Sequence, residues 1–406
     1  MADATGTRRK NLMLVLKTIE ATGEVTAAML TEQTGLSTAT VSRALAALKS
    51  QALIVQLRKQ TTELGRKPDV FSINPAYGYN LYYYLESDCL RAYLLNLGGY
   101  VLSSRTVAVT QALTVEVLTA LLAELKQTLL TGRRRAQSRL LAANIAIPGV
   151  IDAATGVVSC IPNFPNLEQT RLREAAGQAL QLQCFIHNAS RLSTIGAYLQ
   201  YGAGAQSFVY VDITGDCGVG AGIVLRGELY DGPCSLAGEI GDMILELDRT
   251  DCFGGGTSGA LERQAGLASV FRRVRQLLQT GHAQTLRTMM EQKGTDALSL
   301  QLLEKAAGAM DLDVFDTLNQ AARAWAAAIV NVQTVLAAEL VIIGGAVTQE
   351  NQLIEKMLRH HLAGLYHREV ALRMMEAGSD AHVRGAVYLS KQYLFEAAID
   401  SVLSEG

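Results

Sequence analysis

No uninterrupted apolar run approaches the ~20 residues that a bilayer-spanning helix requires, although 49% of the 406 residues are hydrophobic. That excludes a helical membrane protein. The first residues, MADATGTRRKNLM, carry positive charge but neither the apolar core nor the small-residue cleavage site of a secretory signal. A cytoplasmic location is the expectation. The six cysteines (Cys89, Cys160, Cys184, Cys217, Cys234, Cys252) include no CxxC pair, so neither a disulfide framework nor a metal cluster is indicated, and buried free thiols are expected instead. The formal charge of −2 excludes a chain that is basic throughout. It leaves room for a basic module, because Arg8, Arg9 and Lys10 cluster near the start and Arg58, Lys59, Arg66 and Lys67 further on.

What is present begins with helical periodicity. Leu12, Leu14, Val15, Leu16 and Ile19 form one apolar stripe that breaks at Gly23. Thr26 is placed to cap a second helix that ends at Thr34 and Gly35, and Ser37 to cap a third, TATVSRALAALKSQ. Val41, Ala44, Leu45 and Leu48 share the inner face of that third helix, which leaves Ser37, Thr38, Ala39, Ser42 and Arg43 outside. Small groups let a helix backbone approach the major groove, and one arginine reaches a base edge or phosphate. A strand at 52–57, a polar turn and a second strand at 70–73 then make a hairpin, and Arg66 and Lys67 give that wing its cations. The expectation is a winged helix-turn-helix DNA-binding domain over residues 1–78. Tyr77, Tyr79, Tyr82, Tyr83 and Tyr84 mark entry into a second domain, 79–406, and read as strand residues with buried rings.

In that domain strands are expected over 81–85, 91–96 and 101–109, a helix over 115–130 and a buried strand over 140–147. A β-β-β-α-β order implies a mixed sheet covered by helices. The scheme recurs at 207–213, 220–225 and 228–230, with a late strand at 340–343. Gly215, Gly218, Gly220 and Gly222 form a glycine-rich turn, followed by the acidic segment Gly238-Glu239-Ile240-Gly241.

Taken in order, GRKPDVFSINP, AIPGVIDAATGVV (146–158), GVGAGIVLRGELYDG (218–232), AGEIGDM, the turn at 259–262, VIIGGAV (341–347) and GSDAHVRGAVYL (378–389) resemble the ROK family of sugar kinases and sugar-responsive repressors. The resemblance implies an α/β chain: a winged helix-turn-helix followed by a two-lobed actin-like ATPase (ribonuclease H-like) sugar-binding domain. The sequence departs from the kinases at three places. Tyr84-Leu85-Glu86-Ser87-Asp88 puts carboxylates where a glycine turn would meet ATP phosphates. His187-Asn188-Ala189-Ser190-Arg191 supplies no aspartate as catalytic base, and His187 reads as a half-exposed loop residue. Asp242 replaces the expected zinc histidine, and the turn Phe253 to Ala260 lacks the three zinc cysteines; that loop is expected to be metal-free and more mobile than in relatives.

Glu239 and Glu262 survive as the matches to the family's sugar ligands, with Asn188 and, as a weaker candidate, Asn163 beside them. Each carboxylate accepts hydrogen bonds from adjacent ring hydroxyls. The expectation is a non-enzymatic, sugar-responsive transcriptional regulator, read as a repressor of carbohydrate genes. It needs no cofactor, and its partners are operator DNA, a sugar or sugar derivative, and a second copy in a homodimer or dimer of dimers. The alternative is an ATP-dependent hexose kinase with a fused DNA-binding module.

Overall fold

The computed structural model describes residues 2–57, 68–152, 155–161, 163–215, 218–233, 236–246 and 259–404. Packing divides the chain into two units: Met1–Ala146 with Leu172–Ile186 and Ala386–Gly406, and Ile147–Arg171 with His187–Gly385. Residues 1–78 thus lie inside the first unit together with distant segments of the chain.

The first unit opens with α1 (Ala2–Thr22), β1 (Val25–Thr26), α2 (Ala27–Thr34) and α3 (Thr38–Ser50), followed by β2 (Ile54–Leu57) and β3 (Val70–Ile73). Thr26 accepts the Met29 N–H and Ser37 the Thr40 N–H, so each hydroxyl satisfies a donor that the helix itself leaves open. Gly35 ends α2 in the left-handed region, as the sequence suggests. β3 lies between β1 and β2. Residues 58–67, with the polar turn and Arg66 and Lys67, fall outside the described residues.

The rest of this unit is β4 (Tyr79–Leu85), β5 (Cys89–Asn96), β6 (Val101–Ala108), α4 (Val115–Leu130), α5 (Arg134–Ser138), β7 (Leu140–Ile147), then α6 (Leu172–Leu180) and β10 (Gln183–Asn188), with Ile147 at the end of β7 and His187 and Asn188 at the end of β10 already in the second unit. Between β7 and α6 the chain forms the β8 (Val150–Ile151) and β9 (Val158–Cys160) hairpin of the second unit. The large sheet runs β10-β7-β4-β5-β6. Tyr79, Tyr82 and Tyr83 are buried in β4, and the Tyr83 hydroxyl donates to the Leu122 carbonyl of α4. Their rings serve the core and are not base-stacking platforms.

The second unit continues with α7 (Ala189–Tyr201), β11 (Ser207–Ile213), β12 (Val219–Leu225), β13 (Glu228–Tyr230), α8 (Ala260–Ala265), α9 (Leu267–Gln279), α10 (Gln284–Lys293), α11 (Leu300–Gly308), α12 (Leu312–Leu336), β14 (Leu340–Gly345), α13 (Gln352–Leu365) and β15 (Leu372–Met374). Its sheet runs β13-β12-β11-β14-β15. Both large sheets have the same plan, an antiparallel three-strand meander whose first strand pairs in parallel with the fourth. The recurrence that the strand pattern suggests is therefore real in topology. Beneath the second sheet, Val209, Val211 and Ile343 pack with Leu261, Trp325 and Ile329 in one core. The last helix, α14 (Ala381–Ser404), begins in the second unit and ends in the first.

Candidate functional site

Glu239 and Glu262 are positioned by backbone. The Gly238 carbonyl accepts the Ala221 N–H of β12 at 2.7 Å, which fixes the segment next to the sheet and delivers Glu239 just before a one-turn 3-10 helix, Ile240–Asp242. Its carboxylate makes no capping hydrogen bond, so the simplest structural role for an acid at that place is unfilled. Glu262 sits in the first turn of α8. That helix buries Leu261 and Ala265, and the fully enclosed Trp325 indole donates to the Ala265 carbonyl at 2.9 Å. The Glu262 carboxyl rests directly on Gly218: a Cβ there would lie 2.5 Å from its carboxyl carbon, and Gly218 itself has φ +94°. The glycine turn and the acid therefore form one piece of structure. Among the described residues neither Glu239 nor Glu262 receives a side-chain hydrogen bond.

Electrostatics joins these groups. Burial raises the Glu262 pKa, Asp242 and Glu239 raise it further, and Arg263 lowers it. Glu239 is exposed at its surface, yet burial of part of its carboxyl, followed by Asp242, raises its pKa too. Cys160 belongs to the same neighbourhood, since its thiol is raised by burial first, then by Glu168 and Glu239. Exposed Cys160 corrects the expectation of a buried thiol: it ends the short strand β9, whose last two residues face solvent. Cys184 is buried and Cys89 half-buried, whereas Cys217, Cys234 and Cys252 lie outside the described residues.

Asn188 is tied to the hairpin that carries Cys160. Its Oδ1 accepts the Arg191 N–H, which caps α7, and its Nδ2 donates to the Gly149 carbonyl at 2.7 Å. Gly149 immediately precedes Val150, which pairs with Cys160. Asn188 is thus linked through Gly149 to the strand of Cys160, whose thiol feels Glu239, which in turn acts on Glu262. One amide N–H of Asn188 is left beyond these two bonds. Asn163 lies three residues past Cys160, half-buried and left-handed at φ +69°, just ahead of the buried anchor Phe164.

Two neighbours were not singled out by the sequence. Arg191, in the first turn of α7, pairs with Asp231 at 2.9 Å, and its buried Nε has no hydrogen-bond partner among the described residues. Asp242, noticed only as a lost zinc ligand, is the third acid of the cluster. The spacing Asn188-x-x-Arg191 was the available signal for the first.

His187 corrects another expectation. It is 6% exposed inside β10 rather than half-exposed in a loop. Burial, then Arg191, lowers its pKa to about 3, so it is a neutral core imidazole. Ala189 begins α7 where a catalytic aspartate would stand; the next residue, Ser190, donates to Asp212, which is buried. At the β4–β5 turn the Glu86 carboxylate accepts the Cys89 thiol at 2.9 Å and the Arg91 Nε at 2.8 Å. The zinc-loop residues Phe253 to Ser258 lie outside the described residues.

The nucleic-acid candidates occupy one outer surface of α3. Ser37, Thr38, Ala39, Ser42 and Arg43 are all exposed, while Val41, Ala44, Leu45 and Leu48 are buried behind them. Arg43 folds back to the Ala39 carbonyl at 3.3 Å. Its guanidinium is therefore held along the outer face.

Comparison with known proteins identifies the family of the chain. Residues 87–393 match the sequence profile of the ROK family. The xylose repressor of Bacillus subtilis strain 168 is 24% identical over 261 residues, 62% of this chain and 65% of that protein; the match thus spans just under two thirds of that relative. The structure resembles that of a ROK family transcriptional regulator, a homolog of the Escherichia coli MLC protein, with a TM-score of 0.78, 23% identity, and coverage of 98% of this chain and 100% of that one. A ROK family glucokinase from Streptomyces griseus, solved with glucose and AMPPNP, aligns at a TM-score of 0.64 and 21% identity over 78% of this chain and all of its own. With three quarters of its length matched, the chain belongs to the ROK family.

Proposed function

We propose that this protein is a sugar-responsive, DNA-binding transcriptional regulator, a repressor of carbohydrate genes that acts from the cytoplasm as a homodimer. Residues 1–78 are its winged helix-turn-helix, with Ser37, Thr38, Ala39, Ser42 and Arg43 of α3 facing the operator and Arg66 and Lys67 on the wing. Residues 79–406 are its two-lobed, actin-like effector domain. The observation that carries the sugar reading is the pair Glu239 and Glu262, the latter set on the glycine turn, with no side-chain hydrogen bond to either carboxylate among the described residues. Asn188 offers its remaining amide N–H, and Asn163 flanks the site. Two operator-bound modules related by a twofold axis would read a pseudo-palindrome.

A kinase reading is supported by the shared fold of the Streptomyces griseus glucokinase. It is disfavoured by Ala189, since no carboxylate at that position takes the proton of a sugar hydroxyl. Glu86 and Asp88 add negative charge on the β4–β5 turn.

The test is selection of bound duplexes from a random-sequence pool, followed by titration of the enriched sequence at fixed salt with and without xylose, glucose and N-acetylglucosamine. The expected result is one enriched, twofold-symmetric sequence whose affinity changes with one sugar. Failure to enrich any sequence would sink the DNA-binding reading. Phosphorylation of a sugar from ATP would instead establish the kinase.

A further inference from the structure

The first unit carries a cluster of arginines that belongs neither to α3 nor to the wing. Residues 97–115 and 131–140 contain five arginines (Arg105, Arg133, Arg134, Arg135 and Arg139) and no lysine or acid. All five are exposed. Several other arginines meet carboxylates, as Arg9 does at Asp400, Arg91 at Glu86 and Arg359 at Glu355. Among the described residues these five meet none. Their bonds go to backbone carbonyls instead: Arg133 Nη2 to Leu102 at 3.1 Å, Arg105 Nη1 to Ser104 at 2.8 Å and Arg139 Nη1 to Ala76 at 3.3 Å. Such bonds orient a guanidinium without cancelling its charge, and most of its five N–H donors stay open.

Two contacts set the cluster beside the N-terminal module. A Cβ on Gly98, in the β5–β6 turn, would lie 2.9 Å from the Pro75 Cβ, and Arg139, at the end of α5, holds the Ala76 carbonyl. Asn74, the residue before Pro75, donates to the Ala52 carbonyl at 2.7 Å, two residues past the end of α3. The cluster therefore begins at the root of the wing. The Arg133 bond to Leu102 ties the α4–α5 connection to β6, the outermost strand of the large sheet, which carries Arg105. Tyr100, 68% exposed, stands at the start of that strand.

Cations on an edge strand guard it against pairing with another chain. That role accounts for Arg105 and Arg133 but not for Arg134, Arg135 and Arg139, which lie on no strand. A surface of one sign at the foot of a DNA-reading module suits a row of phosphates, each an acceptor for forked arginine donors. We propose that Arg105, Arg133, Arg134 and Arg135 form a second DNA surface, one that holds the phosphate backbone of duplex flanking the sequence read by α3. The surface reads no bases. It takes its partner, duplex DNA, from the regulator reading above, and adds contacts that this reading places only on α3 and the wing.

The test compares salt dependence in the full chain on two duplexes: the enriched sequence of the selection above trimmed to its symmetric core, and the same core extended on each side by about 10 bp, one helical turn, of unrelated sequence. Each phosphate neutralised adds about 0.9 to the slope of log affinity against log salt. The wild-type slope is expected to be steeper on the long duplex by about 2–3 per bound protomer. Arg133→Gln with Arg134→Gln and Arg135→Gln should lose that increment and match wild type on the core, and the corresponding triple lysine variant should keep it. Arg105→Gln alone should lose about one. An unchanged slope on the long duplex in the triple glutamine variant overturns the inference, and is the result that a patch serving an acidic protein would give. If the selection enriches no sequence, the regulator reading has failed, and a random-sequence duplex of the long length decides the patch separately: a slope lowered by about 2–3 in the glutamine variant upholds it, and equal slopes overturn it.

Discussion

Replacing Gly218 by alanine isolates the contact on which the proposed sugar site rests. The new Cβ would meet the Glu262 carboxyl carbon at 2.5 Å and its two oxygens at 2.5 and 2.7 Å, so the carboxylate has to leave its place. The backbone at φ +94° adds a conformational cost of about 1–2 kcal/mol for a residue with a Cβ. Displacing a carboxylate that accepts hydroxyls forfeits hydrogen bonds to a charged group, each contributing about 1.5–3 kcal/mol. At 1.4 kcal/mol per factor of ten, loss of one such bond weakens sugar binding roughly 10- to 100-fold. Calorimetric titration of the sugar into wild type and Gly218→Ala reads this directly. Gly215→Ala is the control, because nothing lies within 4 Å of a Cβ there and its backbone is not left-handed. Wild-type affinity in Gly218→Ala would refute the reasoning, since Glu262 would then be dispensable or free to move.

Other expectations follow from the same coordinates. His187 is charged below an ordinary pKa near 6.5 in the unfolded chain but only below about 3 when folded. Between those values the unfolded state holds the extra proton, so stability is intact above pH 6.5 and falls as pH drops, by about 2 kcal/mol at pH 5. Denaturant titrations at pH 7 and pH 5 should show a smaller acid loss in His187→Leu than in wild type; equal losses would contradict the burial argument. Glu239 and Glu262 have raised pKa values, so their acceptor form is lost first as pH falls, and sugar affinity should decline on acidification before the protein unfolds. Glu262→Gln should flatten that decline, and a pH-independent wild-type affinity would count against carboxylate recognition. Arg43→Ala is expected to reduce operator affinity and, if the contact is to phosphate, to lower the slope of log affinity against log salt by about one; no change in either would remove Arg43 from the interface.

Local chemistry made the N-terminal module legible. Thr26 and Ser37 announce helix starts, Gly35 announces an end, and the observed bonds at those residues are the ones their side chains favour. The large domain was readable as strands and helices for the same reason, and its order as a repeat because each unit builds the same meander. Burial at particular positions was harder. In β10, Ile186 and His187 are both buried although neighbours on a strand point to opposite sides; the sequence carries no sign that both sides are covered. Cys160 reads as apolar by residue type but occupies the exposed last place of a two-strand hairpin. The carboxylates Glu239 and Glu262 came from the family pattern, whereas Asp242 as their neighbour needed coordinates. Least legible was the core shared by Leu12 and Val402. The residues stand at opposite ends of the chain, and no local signal encodes such a contact.

The near-zero net charge conceals a division that bears on both ligands. The first unit contains 19 lysines and arginines against 14 aspartates and glutamates, and the second 17 against 24, so their formal charges are +5 and −7. A positive unit around α3 favours a polyanion through long-range attraction, and most strongly at low salt. In the negative unit, Asp242 raises the proton affinity of both Glu239 and Glu262, Glu239 raises that of Glu262 further, and Arg263 lowers that of Glu262. An ionised phosphate brought to these acids meets repulsion, whereas a hydroxyl donates to them without adding charge. On the proposed function this charge division favours nucleic acid at the first unit, and an uncharged polyol rather than a sugar phosphate at the carboxylates of the second.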